Sequence, residues 1–80
     1  MLTLYVKHHC PWCVEAIHWL RHQKIKFNIL DVIEDTEAYQ RMRQISSQSL
    51  TPTLELENGA VLADFDVSQL EKFLEEHHIQ

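Results

Sequence analysis

The change from a strand pattern to a helix pattern within the first part of the chain constrains the fold more than any other feature. Leu2, Leu4 and Val6 would share one face of a short strand. The segment that follows carries an apolar stripe with helical spacing, formed by Cys13, Ala16, Ile17 and Leu20. Proline is tolerated best in the first helical turn, because its missing N–H would have no intrahelical partner there. Pro11 therefore predicts the start of a helix, with Cys10 at its N-cap.

Three further strands are expected, at residues 27–32, 53–57 and 60–63. The second of these alternates apolar and polar residues, as a half-buried strand does. Asn58 and Gly59 both tolerate positive φ and are typical of a hairpin turn. The last two strands are therefore expected to pair in an antiparallel hairpin.

Two further helices complete the pattern. One is expected over about residues 35–45, where acidic residues favour the start and arginines the end. The other would be capped by Asp66, and Gln69, three residues later, would complete a capping box. Phe65 could pack on Leu70 and fix the direction in which the chain enters this helix.

These elements give the order β-α-β-α-β-β-α. A helical crossover makes the first two strands parallel, with a right-handed connection, and the hairpin adds an antiparallel pair. The expected fold class is therefore α/β, with a mixed four-stranded sheet covered by helices. Eighty residues without an internal repeat or a linker predict a single domain over residues 1–80.

The composition argues against several classes of protein. Seven basic against twelve acidic residues give a formal charge of -5, which argues against nucleic-acid binding. The apolar runs are too short to span a bilayer, and the helices have mixed polar faces, so no membrane role is expected. Two cysteines are too few for a disulfide-stapled secreted domain. Because the first residues also lack a basic segment and a cleavage site, we expect a cytoplasmic protein.

Cys10 and Cys13 form a Cys-X-X-Cys pair, which in a cytosolic protein exchanges electrons or binds a metal. Disulfide exchange needs a thiolate, which is stabilised at a helix N-terminus and near cations. Lys7 lies three residues before Cys10, and His8 and His9 directly precede it. Such environments lower the pKa of a thiol from roughly 8.5 to between about 3.5 and 7.5. Cys10 is the candidate nucleophile, and Cys13, one turn inside the helix, is the candidate resolving thiol.

Together with the order of elements, four short motifs resemble the glutaredoxin family over essentially the whole chain. These motifs are Cys10-Pro11-Trp12-Cys13, Lys7, Thr51-Pro52 and Phe65-Asp66. The resemblance implies the thioredoxin fold, redox-active cysteines and a cis peptide bond before Pro52, and we expect no metal. It also implies a glutathione-dependent thiol–disulfide oxidoreductase that reduces protein disulfides and glutathione mixed disulfides.

The resemblance further implies a site for glutathione as co-substrate. Thr51 would pair its backbone with the cysteinyl part of glutathione, much as an added strand would. Lys7 would meet the glycine carboxylate, and Phe65 and Asp66 would meet the γ-glutamyl end. The other residues expected to border the sulfurs and the substrate are Pro11, Trp12 and Pro52. Expected partners are glutathione and disulfide-bonded or glutathionylated proteins, and the protein is expected to be a monomer.

The chain departs from the family pattern beside this site. Ala63-Asp64 stands where the family usually has Gly-Gly, which allows backbone and glutathione to approach closely. Asp64 also places a negative charge where an anionic tripeptide would dock. The departure predicts weaker glutathione binding or a shift toward protein disulfides.

Other activities remain open from the sequence. The His8-His9-Cys10-x-x-Cys13 stretch contains zinc-binding atoms, but structural zinc sites usually need four ligands, and His77-His78 is expected to lie far from it. Some glutaredoxins bridge a [2Fe–2S] cluster between subunits, although a proline after the first cysteine is more typical of the purely redox members. Ala63-Asp64 favours a thioredoxin-like dithiol electron donor that is recharged by a flavoprotein reductase.

Overall fold

The computed structural model describes residues 1–79, which form four strands and three helices in the predicted order. The strands are β1 (Leu2–Val6), β2 (Phe27–Asp31), β3 (Thr53–Glu55) and β4 (Val61–Ala63). The helices are α1 (Pro11–His22), α2 (Thr36–Ser46) and α3 (Val67–Glu76). Over the described residues, no helix is long and apolar enough to cross a lipid bilayer.

A single mixed sheet joins the strands in the order β2-β1-β3-β4. β1 runs parallel to β2, with Leu4 opposite Ile29, and antiparallel to β3, with Leu4 opposite Leu54. β3 and β4 form the antiparallel hairpin. The parallel β1–β2 pair and the β3–β4 hairpin agree with the sequence pattern, and the predicted α/β class is confirmed.

Two buried clusters cover the two faces of the sheet, because side chains alternate along each strand. The larger cluster joins the sheet to α1 and α3 and includes Leu4, Cys13, Leu20, Leu54, Phe65 and Leu70. The smaller cluster lies against α2 and contains Tyr5, Val32, Ala38 and Met42. The sheet is thus packed on both faces, and one cysteine of the pair belongs to its main core.

Strand boundaries differ from the predicted ones by one or two residues. β2 ends at Asp31 because the chain turns there, and its carboxylate accepts the N–H groups of Ile33 at 2.8 Å and Glu34 at 3.2 Å. β3 ends at Glu55, two residues early, and β4 begins at Val61, one residue late. Both changes lengthen the connection between the paired strands.

The hairpin turn lies at the predicted place. Gly59 has a φ of 89°, and its N–H donates to the carbonyl oxygen of Leu56 at 3.0 Å. Asn58 accepts the N–H of Ala60 through its side-chain oxygen at 2.9 Å. Beyond Glu55, these turn contacts replace the regular hydrogen bonds between β3 and β4.

Aspartate side chains cap the N-termini of α2 and α3. Asp35 accepts the N–H of Ala38 at 3.1 Å, so α2 begins one residue later than predicted. Asp66 accepts the N–H of Gln69 at 2.9 Å, and the side chain of Gln69 accepts the N–H of Asp66 at 3.0 Å. This reciprocal pair is the predicted capping box. The hydrogen bond from the Gln69 N–H is the main cause of a lowered pKa for the Asp66 carboxyl.

A buried tyrosine connects the sheet to α2 through a carboxylate. Tyr5 is 2% exposed, and its hydroxyl donates to Glu55 at 2.7 Å. Arg41 of α2 donates to the other oxygen of the same carboxylate at 2.7 Å. Burial, with the hydrogen bond and charge of Glu55, raises the pKa of Tyr5 to about 12. By contrast, a hydrogen bond with Arg43 lowers the pKa of Tyr39.

The two tyrosines are therefore expected to ionise in separate steps when tyrosinate absorbance is followed in an alkaline titration. Tyr39 should ionise below its ordinary value of 10.0, and Tyr5 at about 12. The folded state holds the Tyr5 proton more tightly than the unfolded state. Its contribution to stability should therefore be present below pH 10.0 and be lost as the pH rises to about 12. Tyr5→Phe should lack only the upper step; a single wild-type step near 10 would contradict the assignment.

Candidate active site

Cys10 and Cys13 are joined by a disulfide at the start of α1, with their Cα atoms 5.1 Å apart. Cys10 is the N-cap, in an extended conformation with φ of -103°, and its sulfur accepts the N–H of Cys13 at 3.2 Å. Pro11 opens the helix, so the predicted start is confirmed. The Cys10 sulfur thus lies at the positive end of the helix dipole, where a negative charge is stabilised.

The two cysteines differ in exposure. Cys13 is 1% exposed and packs in the larger buried cluster, whereas Cys10 is half-buried. Trp12, between them, is 49% exposed. A reagent in solution can therefore approach the Cys10 sulfur, while Cys13 is shielded behind it. This asymmetry suits an attacking and a resolving thiol.

The loop before β3 forms a second wall of the site. The Thr51–Pro52 peptide bond is cis, as the family resemblance implies, and the Thr51 carbonyl oxygen lies 3.6 Å from the Cys10 sulfur. Pro52 is buried, and its carbonyl oxygen accepts the N–H of Asp64 at 2.9 Å. The start of α1, the loop before β3 and the turn after β4 therefore lie side by side.

Gln48 organises this loop through its side-chain amide. It donates to the hydroxyl oxygens of Ser46 at 2.8 Å and Thr53 at 3.1 Å, and it accepts the N–H of Leu50 at 2.6 Å. Thr53, which is fully buried, in turn donates to the carbonyl oxygen of Leu50 at 2.9 Å. The polar run at residues 46–49 predicts a loop, but nothing in that pattern identifies Gln48 as its organiser.

Lys7 lies at the Ser49 end of the same loop. The residue is half-buried, and its ammonium group donates to the carbonyl oxygen of Ser49 at 3.1 Å. Arg43, Ser49 and Lys7 all contribute to lowering the pKa of Tyr39. Lys7 therefore places a cation at the Ser49 end of the loop.

The predicted contacts at the start of α3 also have structural roles. Phe65 is 0% exposed and packs in the larger buried cluster. The Asp66 carboxylate accepts from the Ser68 hydroxyl at 3.0 Å as well as from the backbone of α3. Leu50, which the sequence pattern did not indicate, is 52% exposed and directly precedes Thr51. Together with Trp12, it gives the site an apolar border.

The His8 and His9 rings pack edge to face, with their centroids 4.5 Å apart. His8 is 3.0 Å from the Asp31 carboxylate; partial burial opposes ionisation of Asp31, but hydrogen bonds from His8 and the backbone lower its pKa overall. His77 lies 3.4 Å from Asn58 and beside Leu2, at the end of β1 away from the cysteines. Within residues 1–79, no three potential metal-binding side chains form a cluster.

Sequence comparison agrees with this geometry. A model of the glutaredoxin family matches residues 2–62, which is more than half of the chain. The chain belongs to the glutaredoxin family. A curated relative of this glutaredoxin is an uncharacterized glutaredoxin-like 8.6 kDa protein in the rubredoxin operon of Clostridium pasteurianum. It is 28% identical over 75 residues, covering 94% of this chain and 99% of the relative.

Solved structures share the fold of this glutaredoxin. The thioredoxin-like protein BC3987 is 28% identical and has a TM-score of 0.83, over 92% of this chain and 100% of its own. A glutaredoxin from Archaeoglobus fulgidus has a TM-score of 0.78 at 13% identity, over 91% of this chain and 84% of its own. The fold is the thioredoxin fold, and with the Cys10–Cys13 pair it indicates a thiol oxidoreductase.

Replacing Gln48 by alanine is expected to loosen the loop beside the Cys10 sulfur. The variant loses the hydrogen bonds to Ser46, Thr53 and Leu50. The net value of one such bond is about 1 kcal/mol, so amides of residues 49–51 should exchange with deuterium about fivefold faster or more. Gln44→Ala, at an exposed glutamine of α2, is the matched control and should leave exchange unchanged. Identical loop exchange in Gln48→Ala and wild type would refute the organising role.

Proposed function

We propose that this glutaredoxin is a glutathione-dependent thiol–disulfide oxidoreductase that reduces protein disulfides and glutathione mixed disulfides. The half-buried residue Cys10 carries the proposal, because its sulfur lies at the start of α1, 3.6 Å from the Thr51 carbonyl oxygen, and Cys13 behind it is buried. Such chemistry requires an accessible nucleophile, a backbone edge that can hold the substrate, and a shielded second thiol.

The reaction begins from the reduced protein. The Cys10 thiolate attacks one sulfur of the substrate disulfide, a new S–S bond forms, and the other substrate sulfur leaves as a thiolate that takes up a proton. The Cys13 thiolate then attacks the Cys10 sulfur and releases the second substrate thiol. Two electrons have passed to the substrate, and the protein holds the Cys10–Cys13 disulfide.

Glutathione would restore the dithiol. One glutathione thiolate attacks the Cys10 sulfur and frees Cys13, and a second attacks the resulting mixed disulfide and leaves as glutathione disulfide. A glutathionylated substrate can follow a shorter route, in which Cys10 takes the glutathionyl group and free glutathione removes it. This shorter route needs only Cys10.

The proposed glutathione site surrounds the Cys10 sulfur. Thr51 offers its backbone to the cysteinyl part, as in strand addition. Lys7, at the Ser49 end of the loop, supplies a cation for the glycine carboxylate. Phe65 and Asp66 stand at the start of α3, and the positive end of that helix dipole suits the γ-glutamyl carboxylate. The residues proposed to complete its border are Pro11, Trp12 and Pro52.

A dithiol donor recharged by a flavoprotein reductase is the second candidate function. Asp64 favours it, because this exposed acidic residue bonds through its N–H to Pro52, beside the place proposed for an anionic tripeptide. Lys7 favours glutathione instead, since its ammonium group supplies the matching cation. The two candidates differ in the electron donor and share the roles of both cysteines.

The cysteine roles predict different losses in two serine variants. Cys10→Ser should abolish reduction of every disulfide, because it removes the nucleophile. Cys13→Ser should still remove glutathione from a glutathionylated peptide with reduced glutathione as sole electron donor, but it should lose turnover on an intramolecular protein disulfide. Steady-state assays of both substrates check this, and equal losses in the two variants would refute the assigned roles.

The same assay identifies the electron donor. Wild-type turnover with reduced glutathione alone supports the first proposal. Turnover that requires NADPH and a flavoprotein thioredoxin reductase, with none from glutathione, would replace it by the second candidate.

A further inference from the structure

Asp64 lies directly beside the Thr51–Pro52 segment, whose backbone is proposed to hold the substrate. Its φ is 54°, in the left-handed region that favours glycine and that aspartate and asparagine tolerate better than most other residues. Its N–H donates to the carbonyl oxygen of Pro52 at 2.9 Å, and its side chain is exposed. The turn after β4 therefore carries an acidic side chain next to Thr51–Pro52, where it is accessible from solution.

The edge formed by residues 49–52 has opposite charges near its two ends. Lys7 bonds to Ser49 at one end, and Asp64 bonds to Pro52 at the other. These two contacts lie at different residues of the loop, on either side of Leu50 and Thr51. The Debye length in physiological salt is about 8 Å, so each charge acts mainly on the part of a substrate nearest to it.

We propose that Asp64 is a specificity-determining residue that favours disulfide substrates with a cationic group beside the reacting sulfur. The inference rests on the proposed oxidoreductase function and names its substrate class: peptide and protein disulfides with a lysine or arginine within about two residues of the reacting cysteine. An acidic group at the same end is repelled.

Asp66 also carries a negative charge near this end, but it serves as a helix cap. Its carboxylate is engaged by the Gln69 N–H and the Ser68 hydroxyl in the cap of α3. Lys7 acts at the opposite end of the edge and favours anionic groups there. Asp64 is therefore the acidic group at the Pro52 end whose replacement changes the charge without removing a helix cap.

The test measures single-turnover oxidation of the fully reduced protein, which requires no glutathione. The substrates are peptides with one cysteine held as a mixed disulfide with the neutral thiol 2-mercaptoethanol. They carry arginine, glutamine or glutamate two residues before or two residues after the cysteine, one flank at a time. Each reaction converts the protein dithiol to the disulfide and releases the peptide thiol and 2-mercaptoethanol. Acid quenching and thiol trapping follow the rate.

When the variable residue stands on one particular side of the cysteine, the wild type should react about fivefold faster with the arginine peptide than with the glutamate peptide. This is the size of effect expected of one exposed ion pair. Asp64→Asn keeps a side chain that tolerates positive φ and should bring this ratio to one or below. Asp64→Lys should invert the ratio. Because both rates are measured in the same variant, a general change in reactivity cancels.

Glu76→Gln is the matched control, since it removes one negative charge at the far end of α3 and should keep the wild-type ratio. The same ratio in Asp64→Asn as in the wild type, or no dependence on peptide charge, overturns the inference. Failure to react with any peptide would instead overturn the proposed oxidoreductase function. The two failures are therefore distinguishable.

Discussion

The hydrogen bond from the Cys13 N–H to the Cys10 sulfur is the contact on which the rest of the site depends. The first N–H groups of a helix lack intrahelical partners, and here one of them is directed at the nucleophile. Pro11 determines where the helix begins, and the buried face of α1 turns Cys13 toward the core. One short segment thus supplies the attacking sulfur, its electrostatic stabilisation and the shielded second thiol.

The other parts of the site come from far along the chain, and the sheet brings them together. β3 lies between β1 and β4, so the loop that enters β3 and the turn that leaves β4 both lie near the start of α1. Gln48 and Asp64 hold these two connections through hydrogen bonds at Leu50 and Pro52. On the opposite face, Tyr5 and Glu55 join β1 and β3 beneath α2. The contacts that stabilise the sheet therefore also position the site.

The features that could be predicted from sequence are those in which a side chain bonds to backbone within a few residues. The Cys10 N-cap, the Asp66 capping box and the Asn58 turn are of this kind, so spacing alone indicates them. The bond from Tyr5 to Glu55 was not predictable in this way, because it joins residues 50 positions apart. Gln48 bonds locally, but its three partners converge only through the path of the loop around the cis peptide.

The most direct measurement of the central claim is a pH titration of thiolate absorbance in the fully reduced protein, with Cys10→Ser and Cys13→Ser beside the wild type. One thiol is expected to form its thiolate at a pH well below roughly 8.5, the pKa of an ordinary cysteine. This step should be absent in Cys10→Ser and present in Cys13→Ser. Two thiols that both titrate near 8.5 or above would show that the start of α1 does not activate the Cys10 sulfur, and they would contradict the account.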